Sequence, residues 1–279
     1  MWFRSNLSAG LIRVSCLWGT VPGYFSIRNY VTTHLPWVYT IVAVIVFVGL
    51  MLMSLLVKEG TYPPVEEKKS PLKATFSYFK ECFASNRFYW WFFLATAMNE
   101  VSVLCRALYN ILFVTKDICV PEAEYFKIGG ICGTIALITL LPMGYLVDKF
   151  RPLKVYVIGM VLVIVTNIYA FFFCMNTATY MIVAFALSVS YCVQNSCNIP
   201  LYIEVLPKDR YGQFCSAQAI FRSVLTFAVN AVAGVFILYF GYRYLFVWDA
   251  LFTIFALFCT IMLIKGYYAH GGPKNFVAP

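Results

Sequence analysis

Charge is what this sequence has least of. Only 12% of its 279 residues are Asp, Glu, Lys or Arg, about half the share of an ordinary soluble domain. A chain so poor in charge has little polar surface to offer water, which excludes the usual soluble classes. No CxxC pair occurs, and most of the 10 cysteines lie inside apolar runs. That pattern argues against a disulfide framework or a zinc site, and only Cys119 falls in a segment assigned to the outer side. An HExxH run, a phosphate-binding glycine loop and a nucleophile–base pair are missing as well. Nor do the first residues make a secretory signal, because Arg13 interrupts their apolar stretch and no A-x-A-like site follows.

What is present is apolar: 62% of residues are hydrophobic, 19% are aromatic, and mean hydropathy is +0.78. A helix needs about 20 apolar residues to cross a bilayer. Runs of that kind lie near 37–57, 88–113, 128–147, 155–174, 178–203, 214–240 and 244–264. Residues 8–27, with Arg13 and Pro22 inside, make a weaker eighth. The longest polar gap is 58–87, which mixes Pro-Pro with both charge signs and reads as a linker between two groups of spans. The net charge of +9 sits in short gaps rather than on one soluble face, which argues against nucleic acid. With eight spans, 14 of the 21 Lys and Arg fall on the side of the termini and linker and 4 on the other. That bias puts the linker and the C-terminus in the cytoplasm. The other three, Arg13, Arg106 and Arg222, lie within spans.

An internal similarity links the first two spans to the last two. Ser8-Ala9 align with Ser216-Ala217, Arg13 roughly with Arg222, and Trp37 with Trp248 at the opening of the next span. Two loops add to this. "GYLVDKFRPLK" (144–154) resembles the short cytoplasmic loop signature G-x-L-x-D-R-x-G-R-[KR] of the major facilitator superfamily. Gly144, Leu146, Asp148 and Lys149 match it, whereas Arg151 stands where glycine is usual and Pro152 where a base is usual. "YIEVLPKDRYGQFCSA" (202–217) resembles the E-x-x-P-x-x-x-R-G linkers of the same superfamily, and "VKEGTYPP" (57–64) is similar to its sugar–cation symporter-like members.

The resemblance implies an all-α integral membrane bundle of about eight transmembrane helices. Residues 1–57 would supply the last two helices of an incomplete N-terminal bundle. Residues 58–87 would be the central cytoplasmic linker, and 88–279 a complete six-helix C-terminal bundle. It implies secondary active transport of a small polar solute by rocking of two bundles about a midplane site. It also implies a truncated chain that does not transport without the four preceding spans. Gly144, Asp148, Lys149 and Arg151 would form the conformational-switch loop. The expected partners are the solute, the lipid bilayer and the missing spans; the expected location is the cytoplasmic (inner) membrane.

Polar residues inside spans mark candidate sites, because lipid does not solvate them. Run 88–113 carries Asn99, Arg106 and Asn110 on one helical stripe, with Glu100 about a third of a turn away. Run 178–203 carries Tyr191, Gln194, Asn195, Asn198 and Tyr202. In the family scheme these spans line the central cavity. Amides, phenols and one acid–base set suit a neutral polar solute such as a sugar, with Glu100 coupling to H+ or Na+; no metal or organic cofactor is called for. The plainer reading is that these groups only hold helices together. Asp249, near Arg243 in sequence, is expected to be structural, and Arg13 and Arg222 to reach for the membrane surface. Two other classes remain: a non-transporting polytopic receptor or assembly subunit, and a membrane enzyme. The latter would have only the linker run Glu66, Glu67, Lys68 and Lys69 to build on.

Overall fold

The computed structural model describes residues 28–56, 78, 82–83, 86–272 and 276. The weak span 8–27, the first copy of the internal similarity up to Arg13, and the charge run of the linker lie outside the described residues. Among the described residues the regular structure is entirely helical. Seven helices are long and apolar enough to cross a membrane. They are α1 (Arg28–Leu56), α2 (Arg87–Leu112), α3 (Glu122–Phe150), α4 (Pro152–Phe173), α5 (Thr177–Val205), α6 (Tyr211–Phe240) and α7 (Leu245–Ala269). Each expected run lies within one of them to within a residue; α2 continues through a π turn, Phe113–Asp117. The helices outlast the runs because polar first turns such as Glu122 and Glu124 at the start of α3 still hydrogen-bond along the helix.

Local chemistry explains the ends. The Asn86 side chain caps α2 by accepting from the Phe88 amide at 2.9 Å. Asn176 and Thr179 form a reciprocal capping box at the start of α5. Pro152 opens α4, where its missing N–H costs nothing. Gly241, with φ 101°, ends α6 in a backbone state that side chains disfavour.

The bundle is built from α2 to α7. Helix α2 packs against α7 and α6, α4 against α5 and α7, and α3 against α5. Adjacency therefore runs α6–α2–α7–α4–α5–α3. Exchanging the first three helices with the last three reverses this order into itself. Since α2 starts at the linker end and α5 at the far end, the two triplets are inverted repeats. α6 and α3 close the two ends of the series and leave much of their surface open, as Leu238 and Leu141 illustrate. Helix α1 is as apolar as the others, yet none of its apolar window is buried.

In lipid, apolar burial does not drive helices together; close packing and hydrogen bonds do. Tyr89, Phe92, Phe93, Tyr156 and Met160 fill the linker end of the bundle, and Phe113, Leu245 and Phe246 the far end. Gly159 lets α4 and α5 approach so closely that a Cβ there would lie 2.8 Å from Gln194 Cγ.

Candidate functional site

Two polar centres lie along α2, and packing treats them differently. The first gathers around Asp249, four residues into α7 and fully buried. Its Oδ2 accepts from Arg106 Nε at 2.6 Å and from the Tyr191 hydroxyl at 2.8 Å, and Arg106 Nη2 lies 2.5 Å away. Its Oδ1 accepts from the Ser102 hydroxyl and from Thr253 Oγ1 at 3.2 Å. Arg106 reaches further, donating from Nη2 to Asn167 Oδ1 and from Nε to the Tyr191 oxygen at 3.2 Å. Asn167 in turn donates to the Val163 carbonyl at 2.9 Å, and the Phe246 ring lies 4.9 Å below the guanidinium. One carboxylate and one guanidinium thus tie α2, α4, α5 and α7. Burying such a pair is tolerable because both carboxylate oxygens accept from several donors and Arg106 Nε and Nη2 both find acceptors.

Asp249 therefore does not pair with Arg243, its neighbour in sequence. Arg243 instead donates to the carbonyls of Phe171 and Phe172, at 2.6 and 3.0 Å, and satisfies the exposed end of α4. Matching depths would have found the true partner: Arg106 and Asp249 both lie one to two turns from the far ends of their helices.

Beside this network a cleft of about 210 Å³ opens between α2, α3 and α5. Arg106, Asn110, Tyr125, Tyr180, Ser188 and Tyr191 supply its polar wall, and Ile128, Val183 and Leu187 are among its apolar residues. Asn110 Nδ2 donates to the Tyr180 hydroxyl at 2.9 Å, with the Tyr125 hydroxyl at 3.5 Å. Asn110 Oδ1 is buried and accepts no hydrogen bond from the described residues. Ser188 donates to the Cys132 carbonyl at 2.9 Å and pins α5 to α3. Gly129 faces open space, so the cleft keeps its width there.

The second centre lies nearer the linker end. Glu100 Oε2 faces Arg222 Nη1 at 3.9 Å, and both side chains are substantially exposed, at 45% and 39%. Tyr202 lies within charge range of both and packs edge-on against Phe92 at 5.0 Å. Glu100 is thirteen residues into α2 and Arg222 eleven into α6, or about 20 and 16 Å along their axes. Those rises place both residues well inside their helices. Arg222 therefore faces an acid on α2 rather than only open surroundings.

The sequence stripes divide among these places. Arg106, Asn110 and Tyr191 come together at the cleft. Asn99 is buried with its Oδ1 unpartnered among the described residues, and Gln194 is buried against Gly159 with both amide atoms unpartnered. Asn198 donates to Asn195 at 3.2 Å on the open face of α5. Ser102, Tyr125, Asn167, Tyr180 and Thr253 were not singled out by sequence reasoning. Small hydroxyls and tyrosines are common in spans, and only the buried Asp249 signals that donors must converge.

At the linker end, Gly144 is buried and Asp148 and Lys149 are exposed, with the Lys149 ammonium 5.5 Å from the Phe150 ring. Arg151 adopts φ 73°, the backbone state that explains why glycine is usual at this place in the loop signature. It pairs with Glu204 at 3.5 Å, and the Tyr267 hydroxyl donates to the same oxygen at 2.6 Å.

A multi-pass bundle with an inverted internal repeat and a polar cleft in its interior has the build of an integral membrane carrier. Residues 101–277, more than half of the chain, match the family model of the Major Facilitator Superfamily. The chain belongs to that superfamily and is a multi-pass membrane protein of its transporter type. No curated protein matches the sequence.

Proposed function

We propose that this protein is a secondary active transporter of a small, uncharged polar solute, sugar-like in its hydroxyls, and that the cleft between α2, α3 and α5 holds the solute. One observation carries the reading. The cleft offers three phenols, a serine hydroxyl, an amide with a free acceptor and a guanidinium already neutralised by Asp249. Such a wall hydrogen-bonds hydroxyl groups in either direction and gives a net charge no purchase.

Glu100 is the group proposed to couple the solute to H+ or Na+. A carboxylate held loosely, half open and well inside a spanning helix has spare capacity for a cation. Asn195 and Asn198 lie on the open face of α5, and with Asn99 and Gln194 complete the proposed path. Residues 88–279 act as one rocking half, 58–87 as the cytoplasmic linker and 1–57 as part of the other half. Gly144, Asp148, Lys149 and Arg151 latch the cytoplasmic side, with the C-terminus in the cytoplasm and the protein in the cytoplasmic membrane.

The test is uptake of a labelled sugar panel by cells expressing the full-length gene product, with and without a proton or sodium gradient. Uptake that follows the gradient and collapses in Glu100→Gln supports the reading. Gradient-driven uptake that survives Glu100→Gln moves coupling elsewhere. The absence of uptake of every sugar sinks the substrate class.

A further inference from the structure

We infer that Asp249 is a positioning residue that sets the charge selectivity of the cleft: it neutralises Arg106 from behind, so that the cleft takes an uncharged solute. Without it, the same cleft takes an anion. The inference deepens the proposed function and rests on the cleft being the solute site.

Asp249 is fully buried and does not line the cleft. The two groups that its Oδ2 holds, Arg106 and Tyr191, do line it. Asp249 therefore acts on the cleft only through them. Among the described residues, Arg106 is the one Asp, Glu, Lys or Arg that contributes to the wall. The formal charge the cleft presents is thus the sum of Arg106 and the carboxylate behind it, which is zero. A guanidinium has five N–H donors in a fixed fork. Arg106 commits Nε and Nη2 to Asp249, Tyr191 and Asn167, while Nη1 makes no hydrogen bond among the described residues.

Removing the carboxylate charge leaves a cation with unspent donors at the edge of the cleft. That arrangement recognises a carboxylate. The contrasting view is that Asp249 is scaffold alone, since Ser102 and Thr253 also use it to bind α2 to α7. The two views differ in what D249N and R106Q/D249N do. Both variants lose the ion pair, but only the first leaves the cleft charged.

Two measurements decide between them, both on the full-length protein in lipid vesicles with a hexose and the matching hexuronate as probes. The first is site-resolved modification of Arg106 by phenylglyoxal, read by mass spectrometry, which requires no transport. Arg106 should react slowly in the parent and measurably faster in D249N, where no carboxylate holds its Nε and Nη2. The hexuronate should slow the reaction in D249N and the hexose should not. An Arg106 that stays equally unreactive in D249N, or that hexuronate leaves unprotected, overturns the inference. The second is competition for labelled hexose uptake. Hexuronate should compete in D249N but not in the parent or in R106Q/D249N. Competition by hexuronate in the double variant overturns the inference even where D249N itself fails to insert. A parent that takes up no hexose while Arg106 shows the expected modification pattern overturns the proposed sugar-like substrate and supports the charge inference.

Discussion

Two acid–guanidinium pairs lie along α2, and their first members, Glu100 and Arg106, are separated by about 9 Å of helix rise. Arg106 meets Asp249 at 2.5 Å where four helices converge, and the acid is wholly buried. Glu100 meets Arg222 at 3.9 Å on a half-open face between two helices. The same chemistry becomes a clamp in one place and an available charge in the other. The difference comes from neighbours: α7, α4 and α5 bring hydroxyls and an amide to the first pair, while α6, packed mainly against α2, leaves the second half-exposed.

The sharpest way to break this comparison is to remove one acid from each pair. Asp249→Ala leaves Arg106 buried and unpaired, and should cost about 3–5 kcal/mol. Thermal unfolding in detergent should register it as a large loss, and equal losses for Asp249→Ala and Glu100→Ala would erase the contrast. Ser102→Ala removes one donor from a buried carboxylate and should cost about 1.5–3 kcal/mol. A result near zero would mean that the network around Asp249 repacks freely. The exposed pair Arg151–Glu204 at 3.5 Å extends the comparison to the linker end. Arg151→Gly forfeits at most about 1 kcal/mol of ion pairing and relieves about 1–3 kcal/mol of strain at φ 73°. It should raise the melting temperature, and a fall would mark the Glu204 pair as the stronger term. The smallest effect is expected at Glu100→Gln, within about 1 kcal/mol of the parent, although gradient-driven uptake should collapse. A variant that loses uptake and stability together would make Glu100 a second clamp.

The membrane class and the span positions were legible because lipid imposes a length and a composition, and the apolar runs satisfy both. The tight turn between α3 and α4 was legible too, down to Arg151 at a glycine position, which its φ of 73° explains. Asp249 was not. Its sequence neighbour Arg243 lies six residues away, whereas its partner Arg106 is 143 residues distant. Sequence proximity favours the wrong base because Arg243, at the helix boundary, is drawn to the open carbonyls of α4. The stripe Asn99, Arg106 and Asn110 holds as a helical face, of which Arg106 and Asn110 reach the cleft. Its eleven residues rise about 16 Å, so its members meet different helices.

Composition by itself determined that the chain lives in lipid and crosses it repeatedly, since no other solvent suits so many apolar residues with so few charges. It also determined that the few charges inside the spans must find partners, because hydrocarbon offers none. Which partners they found was decided only by the order in which α6, α2, α7, α4, α5 and α3 lie side by side. Ion pairing acts over a few ångströms, and only packed helices bring residues 106, 167, 191 and 249 within that reach.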